Sequence, residues 1–183
     1  MNHPTQAVCR QPQRGVSLVE SLICLAILAT LLTGAIMGLR HLPGRHLVEA
    51  TAELLETDLR LARSQALVVD DSVRFAVQSH GDGSTCYVVY QGAAGSCTCQ
   101  PAGRSMCVAD GATLRVAHQP ADRGVRIVHS GKPLLFAAGK GTVTPTATLV
   151  VVDRDGQAIH QVVNLMGRTR TCSPSGLSGL RRC

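Results

Sequence analysis

Gly15-Val16-Ser17-Leu18-Val19-Glu20 opens the part of the chain that decides its architecture. Behind it, Ser21 to Leu39 form 19 residues without a charge, enough as a helix to cross the ~30 Å hydrocarbon core of a bilayer. Ahead of it lies a polar leader, Met1 to Gly15, with Arg10 and Arg14 and no acidic residue. Glu20 borders the run, and a carboxylate held in hydrocarbon costs roughly 2.5–3.5 kcal/mol. A chain that keeps such a charge must compensate it, and an ammonium partner does so. An ordinary secretory signal is cut behind its apolar core, which is then discarded. A cut after Gly15 would instead retain the run, free an amine on Val16 and leave Glu20 fifth from the new end.

The remainder of the chain, beyond the apolar run, suffices for one compact domain with its own core. Aromatic content is 2%, with no Trp, two Tyr and two Phe, so Val, Leu, Ile and Ala must build that core. Pro43-Gly44 predicts a break after the apolar helix. Val48, Ala52, Leu55, Leu59, Ala62, Ala66 and Val69 then recur at helical spacing and make one apolar stripe. Glu49, Glu53, Glu56, Asp58, Arg60 and Arg63 surround it, mostly on its flanks and solvent side.

From Ser72 the pattern turns to short β-type runs punctuated by glycine. Strands are predicted near Val73–Gln78, Tyr87–Gln91, Leu114–Ala117, Val125–His129, Leu134–Phe136, Thr146–Val152, Ala158–Asn164 and Gly167–Thr171. Asp155-Gly156 carries the signal of a tight hairpin. The segment from Gly92 to Gly111 is expected to be a loop rich in Gly, Ser and Cys. One long helix against an antiparallel sheet is an α+β arrangement. The expected divisions are 1–15 as leader, 16–42 as apolar helix, 43–71 as amphipathic helix and 72–183 as β-rich domain.

Eight cysteines in 183 residues suit a compartment in which disulfides persist. Cys9 leaves with the leader and Cys24 lies in the apolar run. Cys86, Cys97, Cys99, Cys107, Cys172 and Cys183 remain as disulfide candidates, and spacing alone does not fix their pairing. A Cys172–Cys183 bridge would bring Arg181 and Arg182 beside Arg168 and Arg170. The other four would staple the Gly92–Cys107 segment, with Cys107 bonded to Cys97 or Cys99. No metal is expected: Cys97-Thr98-Cys99 has one residue between its cysteines, fewer than the two to four of zinc sites. The seven histidines, His3, His41, His46, His80, His118, His129 and His160, form no ligand spacing. No nucleophile elbow, phosphate loop or paired-carboxylate signature appears, so neither catalysis nor a cofactor is expected. Ser64 is expected to pack under the sheet.

Charge is asymmetric. The chain is +6 overall, yet Arg45 to Asp71 has three basic and six acidic residues, whereas Gln157 to Cys183 has four arginines and no carboxylate. Positive charge gathered at one end is the footprint of polyanion binding. Arg168 and Arg170 are two apart, so an extended backbone sends both to one face. Gly167 beside them is expected to allow a sharp turn and to leave the approach unobstructed.

The leader, with Gly15 before Val16 and Glu20, resembles the class III leader of type IV pilins and type II secretion pseudopilins. Leu59-Arg60-Leu61-Ala62-Arg63-Ser64-Gln65-Ala66 resembles the L-x-x-A-R-S-x-A signature of the FimT/GspH family. The stretches Leu135–Gly139 and Thr142–Pro145 are similar to that family's strand and turn before its closing hairpin. Gly167-Arg168-Thr169-Arg170 resembles the G-R-x-R motif of the FimT branch. The resemblance implies a pilin-like α+β fold whose long amino-terminal helix has a transmembrane half and an amphipathic half. It implies cleavage by prepilin peptidase between Gly15 and Val16, and methylation of Val16, which stands where the family usually has phenylalanine. It also implies assembly with other pilins through Glu20. The location implied is the inner membrane, single-pass with a periplasmic carboxyl-terminal domain, and then the filament. For the FimT branch it implies a minor pilin that binds incoming DNA in natural transformation through Gly167, Arg168 and Arg170, with Arg181 and Arg182 widening the patch. The alternative is a minor pseudopilin of type II secretion with a purely structural role. Only Phe75, Tyr87, Tyr90 and Phe136 could stack bases, and all fall in predicted strands, so sequence-independent binding of duplex backbone is the expected mode.

Overall fold

Helix α1, Leu18–Arg40, is apolar on every side and carries Glu20 in its first turn, where the helix dipole favours a carboxylate. The structure, a computed structural model, describes residues 18–40, 43–69, 71–108, 110–129, 131–177 and 179–183. The expected leader and its cut between Gly15 and Val16 lie outside the described residues. Described side chains on α1 end at Leu31, and Leu18, Val19, Leu22, Ile23, Leu25, Ile27, Leu28 and Leu31 are all exposed. Among the described residues no helix is long and apolar enough to cross a membrane. Residues 1–41 and 42–183 form separate compact units.

In the second unit, α2, Pro43–Val68, starts with proline at its first position, where the missing N–H costs nothing. The acidic group at this end comes from a distant turn: Asp153 Oδ2 lies 3.6 Å from where a Cβ on Gly44 would sit, a favourable place for a carboxylate beside a helix N-terminus. Val48, Ala52, Leu55, Leu59, Ala62 and Ala66 are buried as the stripe predicts. Val69 is not: the helix has ended, and the residue is 49% exposed. Asp58 departs in the other direction. It is buried at 3% exposure and accepts a 2.7 Å hydrogen bond from Tyr87 Oη and a 3.3 Å one from Arg115 Nε.

Eleven strands succeed it among the described residues: β1 Val73–Ser79, β2 Thr85–Gln91, β3 Cys97–Cys99, β4 Ser105–Cys107, β5 Ala112–Gln119, β6 Val125–Val128, β7 Leu134–Phe136, β8 Val143–Thr144, β9 Ala147–Asp153, β10 Ala158–Val163 and β11 Thr169–Cys172. They make a five-stranded sheet ordered β5-β2-β1-β7-β8 and a four-stranded sheet ordered β11-β10-β9-β6, with β3-β4 as a separate ribbon. All pairings of these strands are antiparallel. The apolar stripe of α2 meets Phe75, Tyr87, Leu134 and Phe136 of one sheet and Ile127, Leu149, Val151, Ile159 and Val163 of the other in one core. Thr85 Oγ1 accepts from Ile127 N at 3.0 Å and stitches the two sheets together. The β9–β10 connection is not a two-residue turn. Asp153 N donates to Gln157 O, and Gly156 takes φ +81°, the left-handed residue that closes a three-residue loop.

The segment expected to be loop from Gly92 to Gly111 instead contains the β3-β4 ribbon, which covers the outer face of the five-stranded sheet. Cysteine pairing explains why. Cys97–Cys107 closes the ribbon on itself, and Cys86–Cys99 rivets it to β2. Gly95 N donates to Tyr90 Oη at 3.1 Å and Cys99 N to Gln78 Oε1 at 2.8 Å. Beneath the ribbon Ala76, Cys86, Val88 and Tyr90 form a second core with Cys97 and Cys99. Strand β2 is consequently buried on both faces.

Candidate nucleic-acid interface

The G-R-T-R segment closes the β10–β11 hairpin at the free edge of the four-stranded sheet. Asn164 organises the loop. Its N–H donates to Arg168 O at 3.1 Å, its Oδ1 accepts from Arg168 N at 2.9 Å, and its carbonyl accepts from Gly167 N at 2.9 Å. Gly167 is buried with φ +68°, and a Cβ there would lie 2.3 Å from Gly141 O. Its role is therefore packing of two turns against each other, not clearing a path for a ligand. The loop is further tied down by Val143 N donating to Leu165 O at 2.9 Å.

Alternation along β11 sorts the side chains. Thr171 points toward α2, its Oγ1 lying 2.8 Å from both Glu56 Oε2 and Gln161 Oε1. Arg170, paired with Val162, is exposed on the opposite face. Arg168 stands just before the strand and is exposed. It lines both a cleft beside Arg170 and a second cleft, of about 360 Å³, shared with Arg60, Arg63 and Ser64 of α2. The side chains of Arg168 and Arg170 have no hydrogen-bond or ion-pair partner among the described residues. Ser64 is exposed and donates back to Leu61 O at 2.9 Å, so it does not pack under the sheet.

At the other end of β11, Cys172 is bonded to Cys183. Ser173 N donates to Arg181 O at 2.9 Å and Ser173 bridges to Arg182, which leaves both arginines exposed. Ser173 lies three residues beyond Arg170, roughly 10 Å along an extended strand. The backbone of the second pair is therefore offset from that of the first along the sheet edge.

Phe75, Tyr87, Tyr90 and Phe136 are all buried, which leaves no aromatic platform among the described residues for stacking bases. His80, Cys86 and Cys99 bring their donor atoms within 4.8 Å of one another, but the two sulfurs are bonded together and are not thiolates. His80 Nε2 sits 3.1 Å from Cys86 Sγ and can serve only as a donor to it. The contribution of α2 to this region is absent from the sequence expectations. Arg60 and Arg63 are three apart, which puts both on one helix face, and that spacing is the signal the sequence offers.

Residues 51–167 match the family described as type II transport protein GspH. The chain belongs to the GspH family. Residues 10–36 of this GspH-family chain match the prokaryotic N-terminal methylation motif, a span that takes in most of α1. No curated protein matches the chain. Among solved structures it is similar to the type IV minor pilin FimU of Pseudomonas aeruginosa, at 19% identity and TM-score 0.48, covering 69% of this chain and 88% of that one. It is also similar to the minor pseudopilin EpsH of the Vibrio cholerae type 2 secretion system, at 14% identity and TM-score 0.41, covering 69% and 97%. The GspH match ends at Gly167, so Arg168, Arg170 and the disulfide-closed tail lie beyond the family's matched segment.

Proposed function

We propose that this chain is a minor pilin that binds duplex DNA through Arg168 and Arg170, with Arg181 and Arg182 extending the contact, and assists DNA uptake in natural transformation. The observation that carries this reading is a pair of exposed guanidiniums, one just before and one on the edge strand, without a partner among the described residues, in a segment with no carboxylate from Gln157 to Cys183. Guanidiniums match phosphate geometry and remain charged at any working pH. Without stacking residues the contact is to the backbone, so it is independent of sequence and strongly dependent on salt. Replacing both Arg168 and Arg170 by Ala is expected to weaken binding equally for unrelated duplexes and to flatten the salt slope by about two. A gel-shift titration of the double variant that matches the parent would remove these residues from the interface.

The anchoring half of the proposal is cleavage by prepilin peptidase after Gly15, methylation of Val16, inner-membrane insertion of residues 16–42 and pairing of Glu20 with a neighbouring subunit's new amine. Glu20→Ala should then be processed normally yet fail to enter filaments, as read by cell fractionation. Incorporation at parental levels would dismiss the pairing. A second reading, a purely structural type II pseudopilin, is favoured by the description of the matched family. It predicts no salt-dependent DNA shift at all.

A further inference from the structure

We propose that the cleft between α2 and the β10–β11 loop is an oxyanion pocket that seats one phosphodiester of the DNA held on the arginine strand, with Arg60, Arg63 and Arg168 as its donors. The inference rests on the DNA-binding reading above and adds a second structural element to it. Two observations carry it. The cleft, about 360 Å³, is lined by three guanidiniums from two elements, and the carboxylate beside them, Glu56, is shared by Arg60 and Thr171. In addition, Arg63 Nε is buried with no hydrogen-bond partner among the described residues.

An arginine with a merely structural role normally finds an acceptor, because an orphaned buried donor is costly. Other arginines of this molecule that lie against the protein surface do so: Arg45 pairs with Glu49, Arg74 with the carbonyl of Gly92, Arg115 with Asp58, and Arg154 with the carbonyls of Ala121 and Asp122. Arg63 is instead held by its stem. A Cβ on Gly141 would lie 3.2 Å from its Cγ, and one on Gly167 3.0 Å from its Cδ. Two glycine turns thus clamp the aliphatic part and fix where the charge points before any ligand arrives. Such preorganisation reduces the ordering cost of binding. A planar fork held in this way suits the paired oxygens of a phosphate. A strand whose phosphates lie along Arg170 and Arg168 would pass the mouth of the cleft, since Arg168 borders both surfaces.

The test uses the full-length chain in detergent micelles, labelled with [15N]arginine and titrated with inorganic phosphate, with chloride at equal ionic strength and with a short duplex. The Arg63 Nε–H resonance is expected to move saturably with phosphate and duplex and to ignore chloride. Arg63→Met keeps the stem between the glycines and should abolish the phosphate response of the Arg168 resonance, which reports from the same cleft. Arg60→Gln, at a largely exposed position, should weaken that response at least threefold without disturbing the fold. A duplex that moves Arg170 but leaves Arg63 still would overturn the pocket while sparing DNA binding. Phosphate moving Arg63 while the duplex moves no arginine would overturn the phosphodiester as occupant, together with the DNA reading, and leave free phosphate as the ligand. No response to either probe would overturn the pocket outright.

Discussion

Gly167→Val should destabilise the folded domain by about 3–5 kcal/mol, a large share of the 5–15 kcal/mol that holds a typical domain together. Two separate costs combine. Gly167 has φ +68°, a region that costs a β-branched residue roughly 1–3 kcal/mol. A Cβ there would also lie 2.3 Å from Gly141 O and 3.0 Å from Arg63 Cδ. Arg63 is a flexible side chain and can yield. Gly141 cannot do so easily, because its own φ is +60° and its N–H is bound to Ala137 O at 2.9 Å. Overpacking against a fixed backbone adds a further ~1–3 kcal/mol. Gly156→Ala is the control, since Gly156 has φ +81° but nothing within 4 Å of its missing Cβ. It should cost only about 1 kcal/mol. Urea unfolding of the two variants separates backbone strain from overpacking, and equal midpoints would mean that the Gly141 turn relaxes at no cost.

Asp58→Ala should cost about 3–5 kcal/mol, the range for breaking a buried charged network by removing one partner. It strands the Tyr87 hydroxyl, 2.7 Å from the lost carboxylate, in a core where Tyr87 is 1% exposed. It also releases Arg115, which is about half exposed and regains water, so most of the cost falls on Tyr87. The same contact sets a pH dependence. Burial, then the hydrogen bond and charge of Asp58, push the Tyr87 phenol well above its ordinary value of 10.0. A group whose folded value is raised contributes stability that is complete below its unfolded value and is lost as pH climbs past it. Stability should accordingly fall above about pH 10, with Tyr87 contributing up to ~1.4 kcal/mol per pH unit. Tyr87→Phe should remove that contribution while costing roughly 1–2 kcal/mol at neutral pH. If the variant and the parent lose stability with the same slope between pH 10 and 11, the phenol does not govern it.

The helix and most strands are legible in the sequence because their periodicity reports a single buried face. The stripe from Val48 to Ala66 and the runs around Phe75, Leu134 and Val151 obey this rule. Legibility fails wherever burial comes from a partner the local pattern does not encode. Asp58 reads as a flank charge, yet it is internal because Tyr87, 29 residues later, supplies its hydrogen bond. Ribbon β3-β4 has almost no apolar residues of its own, and its order comes from two covalent bridges. Val69 fits the helical spacing but comes after the last helical turn. At the candidate site the arginines of the tail are evident from charge alone. Gly167 reads as an opening, whereas its close approach to Gly141 joins turns 26 residues apart. Arg63 stays hidden because nothing in its own neighbourhood announces that Gly141 and Gly167 will close around it.

The doubly riveted ribbon makes the outer core conditional on chemistry. Collapse of apolar side chains is enough to assemble α2 with the two sheets, but Val88 and Tyr90 stay dry only while Cys86 is joined to Cys99. A molecule whose thiols remain reduced would keep its main interior and lose the cover from the back of its larger sheet. It would then show an aliphatic and aromatic face that invites association with other chains. Oxidation thus decides whether that face is sealed beneath the ribbon or left adhesive.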